Sequence, residues 1–137
     1  MRKRATSPQQ VAIVSANAET LDGLQSYLCG AGVAARGTRK LEDCPQLTSP
    51  LTVAVVLFPD DYPWESVIAA VEDIDARRPS ILLVLVTGHP RTFEPLVEGH
   101  RSVMIVPRPV WGWTILDAIR AHVDAEAVKR ADRAAAS

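Results

Sequence analysis

The sequence predicts an α/β fold in which a mostly parallel sheet carries helices on both faces. Short, continuous apolar runs rich in Val, Ile and Leu recur along the chain, which is typical of strands buried on both faces of a parallel sheet. Segments with apolar residues at helical spacing separate these runs, and such alternation indicates a doubly wound sheet. The chain has 137 residues, a length that fits a single domain.

The first third of the chain predicts two strands and one full helix. Residues 11–14 form a short β-branched run, which suits a buried strand. The helix that follows has leucines at helical spacing and ends at two glycines, namely Leu21, Leu24, Leu28, Gly30 and Gly32. A weak strand is predicted near residues 33–38. Residues 39–50 contain two prolines, so we expect any second helix to be short.

The middle of the chain predicts two strong strands and the helix between them. Residues 51–58 form the longer apolar run, and a proline-rich breaker follows it. Residues 64–78 have an apolar face at helical spacing and stop before Pro79. Residues 80–87 then form a third strong apolar run, which gives the fourth strand of the sheet.

The last third of the chain predicts one interrupted helix, one strand and one amphipathic helix. Pro90 and Pro95 both fall in the segment after the fourth strand, so the fourth helix is expected to be short or irregular. Residues 103–106 predict the last strand. Residues 111–123 predict the last helix, with Ile and Leu side chains on one face.

Composition and charge indicate a globular protein and exclude some classes of partner. Apolar residues make up 47% and charged residues 23% of the chain, and the formal net charge is −1. This balance is typical of soluble globular proteins. It provides no general attraction to nucleic acid or to anionic membranes, so neither is an expected partner. The sequence contains neither an apolar run of bilayer length nor a secretory signal, so we expect a cytoplasmic location.

The residues that most often carry chemistry form no known catalytic or metal-binding motif. Cys29 and Cys44 fit no metal-ligand or redox spacing, and we expect both to be reduced thiols. The three histidines share no spacing either: His89, His100 and His122. Glycine-rich phosphate loops and nucleophile-elbow motifs do not occur. We therefore expect no metal, no cofactor and no enzymatic activity.

Polar or proline-containing segments follow four of the predicted strands. In open parallel sheets, ligand and chemical sites lie at the carboxyl ends of the strands. The four segments are Ser15-Ala16-Asn17, Pro59-Asp60-Asp61, Thr87-Gly88 and Pro107-Arg108-Pro109. Their side chains form the candidate site.

In order and spacing, these segments resemble a response-regulator receiver domain over residues 10–123. The resemblance implies a (βα)5 flavodoxin-like fold with five parallel strands in the order 2-1-3-4-5. It also implies a phosphorylation pocket with an acidic pair that helps bind Mg²⁺, an acceptor Asp, a Thr or Ser, and a Lys-Pro pair. Outside this domain, residues 1–9 are expected to be a flexible lead and residues 124–137 a helical extension or a linker.

The sequence departs from the receiver pattern at three of these positions. Ser15 and Ala16 replace the acidic pair, Pro59 stands where the acceptor Asp belongs, and Arg108 replaces the Lys. Thr87, followed by a glycine, does fit. Mg²⁺ needs carboxylate ligands and Pro has no nucleophilic atom, so the usual phosphoryl transfer loses both its metal and its acceptor. These losses predict a pseudo-receiver, which keeps the fold and does not accept phosphate by the usual route.

Alternatives remain open at the individual residues of the pocket. Asp60 or Asp61 is either a shifted phosphoryl acceptor with a weakened Mg²⁺ site or a turn and helix-capping device. Arg108 either pairs with one of these carboxylates or is solvated. Thr87 is either a remnant of the pocket or an ordinary strand-end residue.

Tryptophans near the last helix indicate an interaction surface. Trp111 and Trp113 lie where receivers usually carry polar residues, and Ile105 lies where they often carry a switch aromatic. Exposed aromatic clusters often mark binding sites. We therefore expect an apolar patch on the face formed by the fourth helix, fifth strand and fifth helix, with at least one Trp folded over the fourth helix. Trp64 either covers the empty pocket or makes an ordinary contact at its helix start.

These observations predict an atypical receiver that acts as a phosphorylation-independent interaction module in signal transduction. Its expected partner is another protein or a second copy of the chain, bound through the face that carries Trp111 and Trp113. Two alternatives remain. One is a phosphorylatable receiver that uses Asp60 or Asp61, and the other is a small-ligand-binding domain of the same topology.

Overall fold

A computed structural model describes residues 10–99 and 102–136. Its centre is a five-stranded parallel sheet in the order β2-β1-β3-β4-β5, as the sequence predicted. The strands are β1 (Gln10–Val14), β2 (Ala34–Thr38), β3 (Thr52–Leu57), β4 (Leu82–Thr87) and β5 (Val103–Pro107). The predicted lead, residues 1–9, lies outside the described residues, as does His100.

Five helices connect and follow the strands. They are α1 (Ala18–Gly30), α2 (Cys44–Leu47), α3 (Trp64–Arg77), α4 (Pro90–Gly99) and α5 (Gly112–Ala136). Two short 3₁₀ turns, Leu41–Asp43 and Pro59–Asp61, precede α2 and α3. The second helix is short, as the prolines predicted. None of the helices within residues 10–99 and 102–136 has the combined length and hydropathy that a membrane span requires.

The sheet is buried on both faces because alternate residues of its central strands point to opposite sides. On one face, Val56 of β3 and Val84 of β4 pack with the leucines of α1 and with Ile115 of α5. On the other face, Leu57 and Leu85 pack against α3 and α4. Continuous apolar runs in the sequence therefore mark strands covered by helices on both sides.

Helix α4 differs from its prediction. It is ten residues long and continuous across Pro95, which lies inside it. Pro95 is exposed, whereas Phe93 and Leu96 of the same helix are buried against the sheet. Burial of two large apolar side chains contributes about 3–6 kcal/mol, which offsets the roughly 3 kcal/mol cost of an interior proline. Of the two expected forms, short or irregular, α4 takes the short one, and it stays regular across Pro95 because this packing offsets the proline.

Helix α5 continues well beyond its predicted core segment. It runs through the charged, alanine-rich residues after 123 as far as Ala136. Its last fully buried residue is Ile119, and almost all residues after 123 are exposed. Residues 124–136 are therefore helical and lie largely outside the core.

Candidate functional site

The carboxyl ends of β3, β4 and β5 meet at one edge of the sheet. Parallel pairing places Thr87, the last residue of β4, opposite Pro107 at the end of β5. The backbone N–H of Arg108 donates to the Thr87 carbonyl over 3.0 Å, which extends this pairing by one residue. The 3₁₀ turn Pro59–Asp61 follows β3 and buries its proline. This turn carries Asp60 towards the end of β4.

The Asp60 carboxylate accepts two hydrogen bonds from other parts of the chain and lies near one cation. The Thr87 hydroxyl donates to its Oδ1 atom, and the Gly88 backbone N–H donates to its Oδ2 atom over 2.8 Å. Arg108 Nη1 lies 3.9 Å from the same Oδ2. Since charge-assisted hydrogen bonds are the stronger kind, this cluster ties the turn after β3 to the ends of β4 and β5.

Burial differs across this cluster. Thr87 is fully buried, while the side chains of Asp60 and Arg108 are 18% and 44% exposed. The Thr87 hydroxyl oxygen also accepts the His89 backbone N–H over 2.9 Å. Its single proton is therefore directed at Asp60.

The end of β1 shows a different chemistry. The Ser15 hydroxyl is buried and accepts the Asn17 backbone N–H over 3.2 Å. Asn17 in turn caps α1 by accepting the Thr20 N–H. The Ala16 carbonyl accepts from Arg39 Nε over 3.1 Å. The polar groups of these residues therefore cap α1 and bind the Arg39 guanidinium. Within residues 10–99 and 102–136, no group of three or more His, Cys, Asp or Glu side chains could hold a metal ion.

Asp61 lies apart from the Asp60 cluster and is exposed. Burial and then the negative charge of Asp61 raise the pKa of the Tyr62 hydroxyl to about 12. That hydroxyl donates to the Arg39 carbonyl over 2.7 Å. Tyr62 and Arg39 thereby join the loop after β2 to the turn after β3.

Trp64 makes an ordinary helix-start contact. Its ring lies 5.3 Å from the ring of Phe93, between centroids, with a tilt of 43°. This pair joins the start of α3 to α4. The contact matches the second of the two roles that the sequence left open for Trp64.

The two tryptophans around Gly112 stack on each other and remain exposed. Their ring centroids are 5.0 Å apart and their planes differ by 3°. Trp111 is 65% exposed and Trp113 is 53% exposed, so the expectation that one of them folds away over α4 was wrong. Gly112 lies between the two tryptophans in the sequence. Its backbone is so close to the ring of Tyr27 in α1 that a side chain at position 112 would overlap that ring. Ile105 on β5 is partly buried and packs against the side of the core that holds α4.

A cavity of about 540 Å³ lies between α1 and the segment that joins β5 to α5. Leu24, Phe58 and Ile115 form its apolar wall, and Arg108 and Tyr27 add polar groups. Arg108 also belongs to the Asp60 cluster, whereas Ser15, Asp60 and Thr87 do not line the cavity.

The structure thus brings together only part of the predicted site. Asp60, Thr87 and Arg108 form one cluster, and the pairing of Arg108 with Asp60 that the sequence left open is present. Ser15, Ala16 and Asp61 contribute nothing to it. Two groups at these strand ends were not predicted. They are the backbone N–H of Gly88, which a loop after a strand end always offers, and Arg39, which no pattern in the sequence marks.

The sequence matches no family model and no curated protein, but its fold matches several solved structures. A response regulator receiver domain protein from Clostridium thermocellum has a TM-score of 0.78 and 11% identity, over 88% of this chain and 98% of that one. A CheY-like receiver domain protein from Methanospirillum hungatei JF-1 has a TM-score of 0.76 and 15% identity, over 90% and 99%. The signal receiver domain of an HD domain-containing protein from Pseudomonas fluorescens Pf-5 has a TM-score of 0.76 and 18% identity, over 89% and 99%.

Proposed function

We propose that this chain, which has the fold of response-regulator receiver domains, is a pseudo-receiver that binds another protein or a second copy of itself without being phosphorylated. The observation that carries this proposal is the stacked, exposed pair Trp111 and Trp113. Exposed tryptophans are costly in water and are enriched among residues that dominate binding energy. Their position at the start of α5 supports an interface that includes this end of the helix.

The chemistry at the strand ends supports independence from phosphorylation. Ser15 and Ala16 supply no carboxylate after β1, and Arg39 places a cation beside the Ala16 carbonyl. A positive charge there disfavours a divalent cation. Without Mg²⁺, the charge that develops on a transferred phosphoryl group has no metal to stabilise it.

The interface is tested by replacing both tryptophans with serine. Sedimentation velocity over a concentration series measures self-association, and a photo-cross-linking residue at position 111 captures a second protein in the source cells. Loss of one hot-spot Trp costs about 2 kcal/mol or more, so the double variant is expected to weaken association by at least about thirtyfold. Acetyl phosphate with Mg²⁺ is expected to leave association unchanged.

Leu51 provides a matched control for this test. It is an exposed apolar residue at the opposite end of the sheet, next to the start of β3. Leu51→Ser removes exposed apolar surface without touching the tryptophan pair. Equal association of all variants, together with equal cross-linking from positions 51 and 111, would contradict the proposal.

A second candidate function, a phosphorylatable receiver, is favoured by the position of Asp60 beside Thr87 and Arg108. On this proposal an Asp60 carboxylate oxygen attacks the phosphorus of acetyl phosphate, the bond from phosphorus to the acetyl oxygen breaks, and acetate leaves. Thr87 and Arg108 then lie beside the new acyl phosphate. Incubation with acetyl phosphate and Mg²⁺ then yields a phosphoryl adduct in the intact mass that is absent from Asp60→Asn and present in Asp61→Asn. No adduct in the wild type would exclude this function.

A further inference from the structure

We propose that each copy of this chain inserts Trp111 into the cavity between α1 and the β5–α5 segment of a second copy, so that two copies form a closed twofold dimer. This inference rests on the proposed function, because it names the partner of the tryptophan pair and the surface that the pair contacts. The position of the cavity, the chemistry of its wall and the area that the contact would bury support it.

The tryptophan pair and the cavity lie next to each other in each copy. Gly112 separates the two tryptophans in the sequence and also lines the cavity, as do Pro109 and Val110. Among the residues that the structure describes, neither tryptophan lines the cavity of its own chain. A twofold interface uses the same surface on both copies. Because the inserted group and the cavity share one surface, two copies can exchange tryptophans reciprocally and close the dimer.

The cavity suits an indole ring in size and in chemistry. Its volume of about 540 Å³ is within the range of pockets that hold small organic ligands, and Leu24, Phe58 and Ile115 make its wall apolar. Gly23 adds open space, since a Cβ atom built there meets no atom within 4 Å. The Arg108 side chain lines the same cavity and is 44% exposed. Its positive charge complements the negative face of an indole ring.

The area of the contact fits a weak but specific dimer. Trp111 is 65% exposed and Trp113 is 53% exposed, and full burial of an aromatic side chain removes about 150–250 Å² from water. The exposed parts of the two rings thus amount to about 300 Å² per copy, and the cavity wall of the other copy loses a similar area. The twofold contact buries about 1,200 Å² in total, which is the lower limit of standard specific interfaces.

The test is a complementation experiment with two variants. The double variant Trp111→Ser with Trp113→Ser removes the inserted group and keeps the cavity. Gly23→Leu fills the cavity from α1 and keeps the tryptophan pair, and Leu favours a helix more than Gly does. Sedimentation velocity over a concentration series measures the association of the wild type, of each variant alone and of their equimolar mixture.

Each variant alone loses both reciprocal contacts and is expected to associate at least about thirtyfold more weakly than the wild type. In the mixture, the cavity of the serine variant receives Trp111 from the Gly23→Leu copy. One of the two contacts is then intact, so the mixture is expected to associate at least about fivefold more tightly than either variant alone. Gly30→Leu is the matched control and is expected to associate like the wild type, because it adds a leucine to α1 in open space outside the cavity.

Two results would overturn this inference. One is a mixture that associates no better than its components, and the other is a wild type that stays monomeric up to its solubility limit. The proposed function survives both results if the serine variant still loses association, or if cross-linking from position 111 still captures another protein. If Gly23→Leu does not fold, free indole replaces it. Indole is expected to shift the Ile115 methyl resonances of the serine variant saturably and to weaken association of the wild type, and unchanged Ile115 resonances would contradict the inference.

Discussion

Gly112 lies against the ring of Tyr27, so closely that a Cβ atom at position 112 would be 2.8 Å from Tyr27 Cδ2 and 3.0 Å from Cγ. Tyr27 belongs to α1, and Gly112 begins α5 between the two stacked tryptophans. This contact joins the two helices that share one face of the sheet. It also fixes the backbone from which Trp111 and Trp113 project.

The change Gly112→Ala is expected to destabilise the protein because the added methyl overlaps the Tyr27 ring. Overpacking of this kind costs about 1–3 kcal/mol. The gain from the helix propensity of Ala is below the roughly 1 kcal/mol of a helix interior, because Gly112 is the first residue of α5. In a Tyr27→Ala background the overlap is absent and only the gain remains. Urea denaturation of the four proteins in this cycle measures both effects.

Gly23→Ala is the control for that cycle. Gly23 lies within α1, and no atom comes within 4 Å of a Cβ built there. This change is expected to raise the free energy of unfolding by about 0.5–1 kcal/mol. If Gly112→Ala had the same effect in both Tyr27 backgrounds, the close contact would have no energetic consequence.

Pro95→Ala is expected to stabilise the protein. Pro95 is exposed and lies inside α4, where it has no N–H to donate to the carbonyl of Arg91, four residues earlier. Restoring this bond and relieving the clash is expected to raise the free energy of unfolding by about 1–3 kcal/mol. Pro90→Ala is the matched control, because Pro90 is the first residue of the helix and needs no intrahelical donor. Equal effects of the two substitutions in urea denaturation would contradict this account.

The Tyr62 hydroxyl predicts a loss of stability at high pH. Its pKa is about 12 in the folded protein against an ordinary 10.0, so between these values the unfolded chain binds fewer protons than the folded one. The free energy of unfolding then falls as the pH rises. Tyr62 therefore contributes this stability fully below pH 10 and loses it as the pH approaches about 12.

Guanidinium chloride denaturation of the wild type and of Tyr62→Phe at about pH 9 and about pH 11 measures this effect. Tyr62→Phe also removes the hydrogen bond to the Arg39 carbonyl, which costs about 1 kcal/mol at the lower pH. The difference between the two proteins is expected to shrink at the higher pH. A difference that is constant with pH would show that the hydroxyl titrates alike in both states.

The sheet could be predicted from the sequence because its strands are continuous apolar runs, as in β4, where every residue is buried. The position of Asp60 beside Thr87 could not be predicted in this way. The receiver pattern puts Pro59 at the acceptor position, whereas the 3₁₀ turn after β3 carries the next residue, Asp60, to Thr87. Turn geometry of this kind depends on contacts between segments far apart in sequence, which local pattern does not contain.

For the tryptophans, too, only part of the arrangement could be predicted from the sequence. Their place at the start of α5 follows from the sequence, but their stacking on each other became visible only in the structure. In α4, the helical spacing of Phe93 and Leu96 was present in the sequence but was outweighed by the two prolines. The burial of those side chains against the sheet became visible only in the structure.

The length of α5 carries its far end well beyond the core. Its 25 residues span about 37 Å at 1.5 Å per residue, and the residues that pack on the core end at Val123. The segment after Val123 spans about 20 Å, so a bend of about 10° there would move the far end of the helix by about 3 Å. A small change of angle beyond the core would therefore displace the exposed end of α5 while the packing of Ile115, Leu116 and Ile119 stays unchanged.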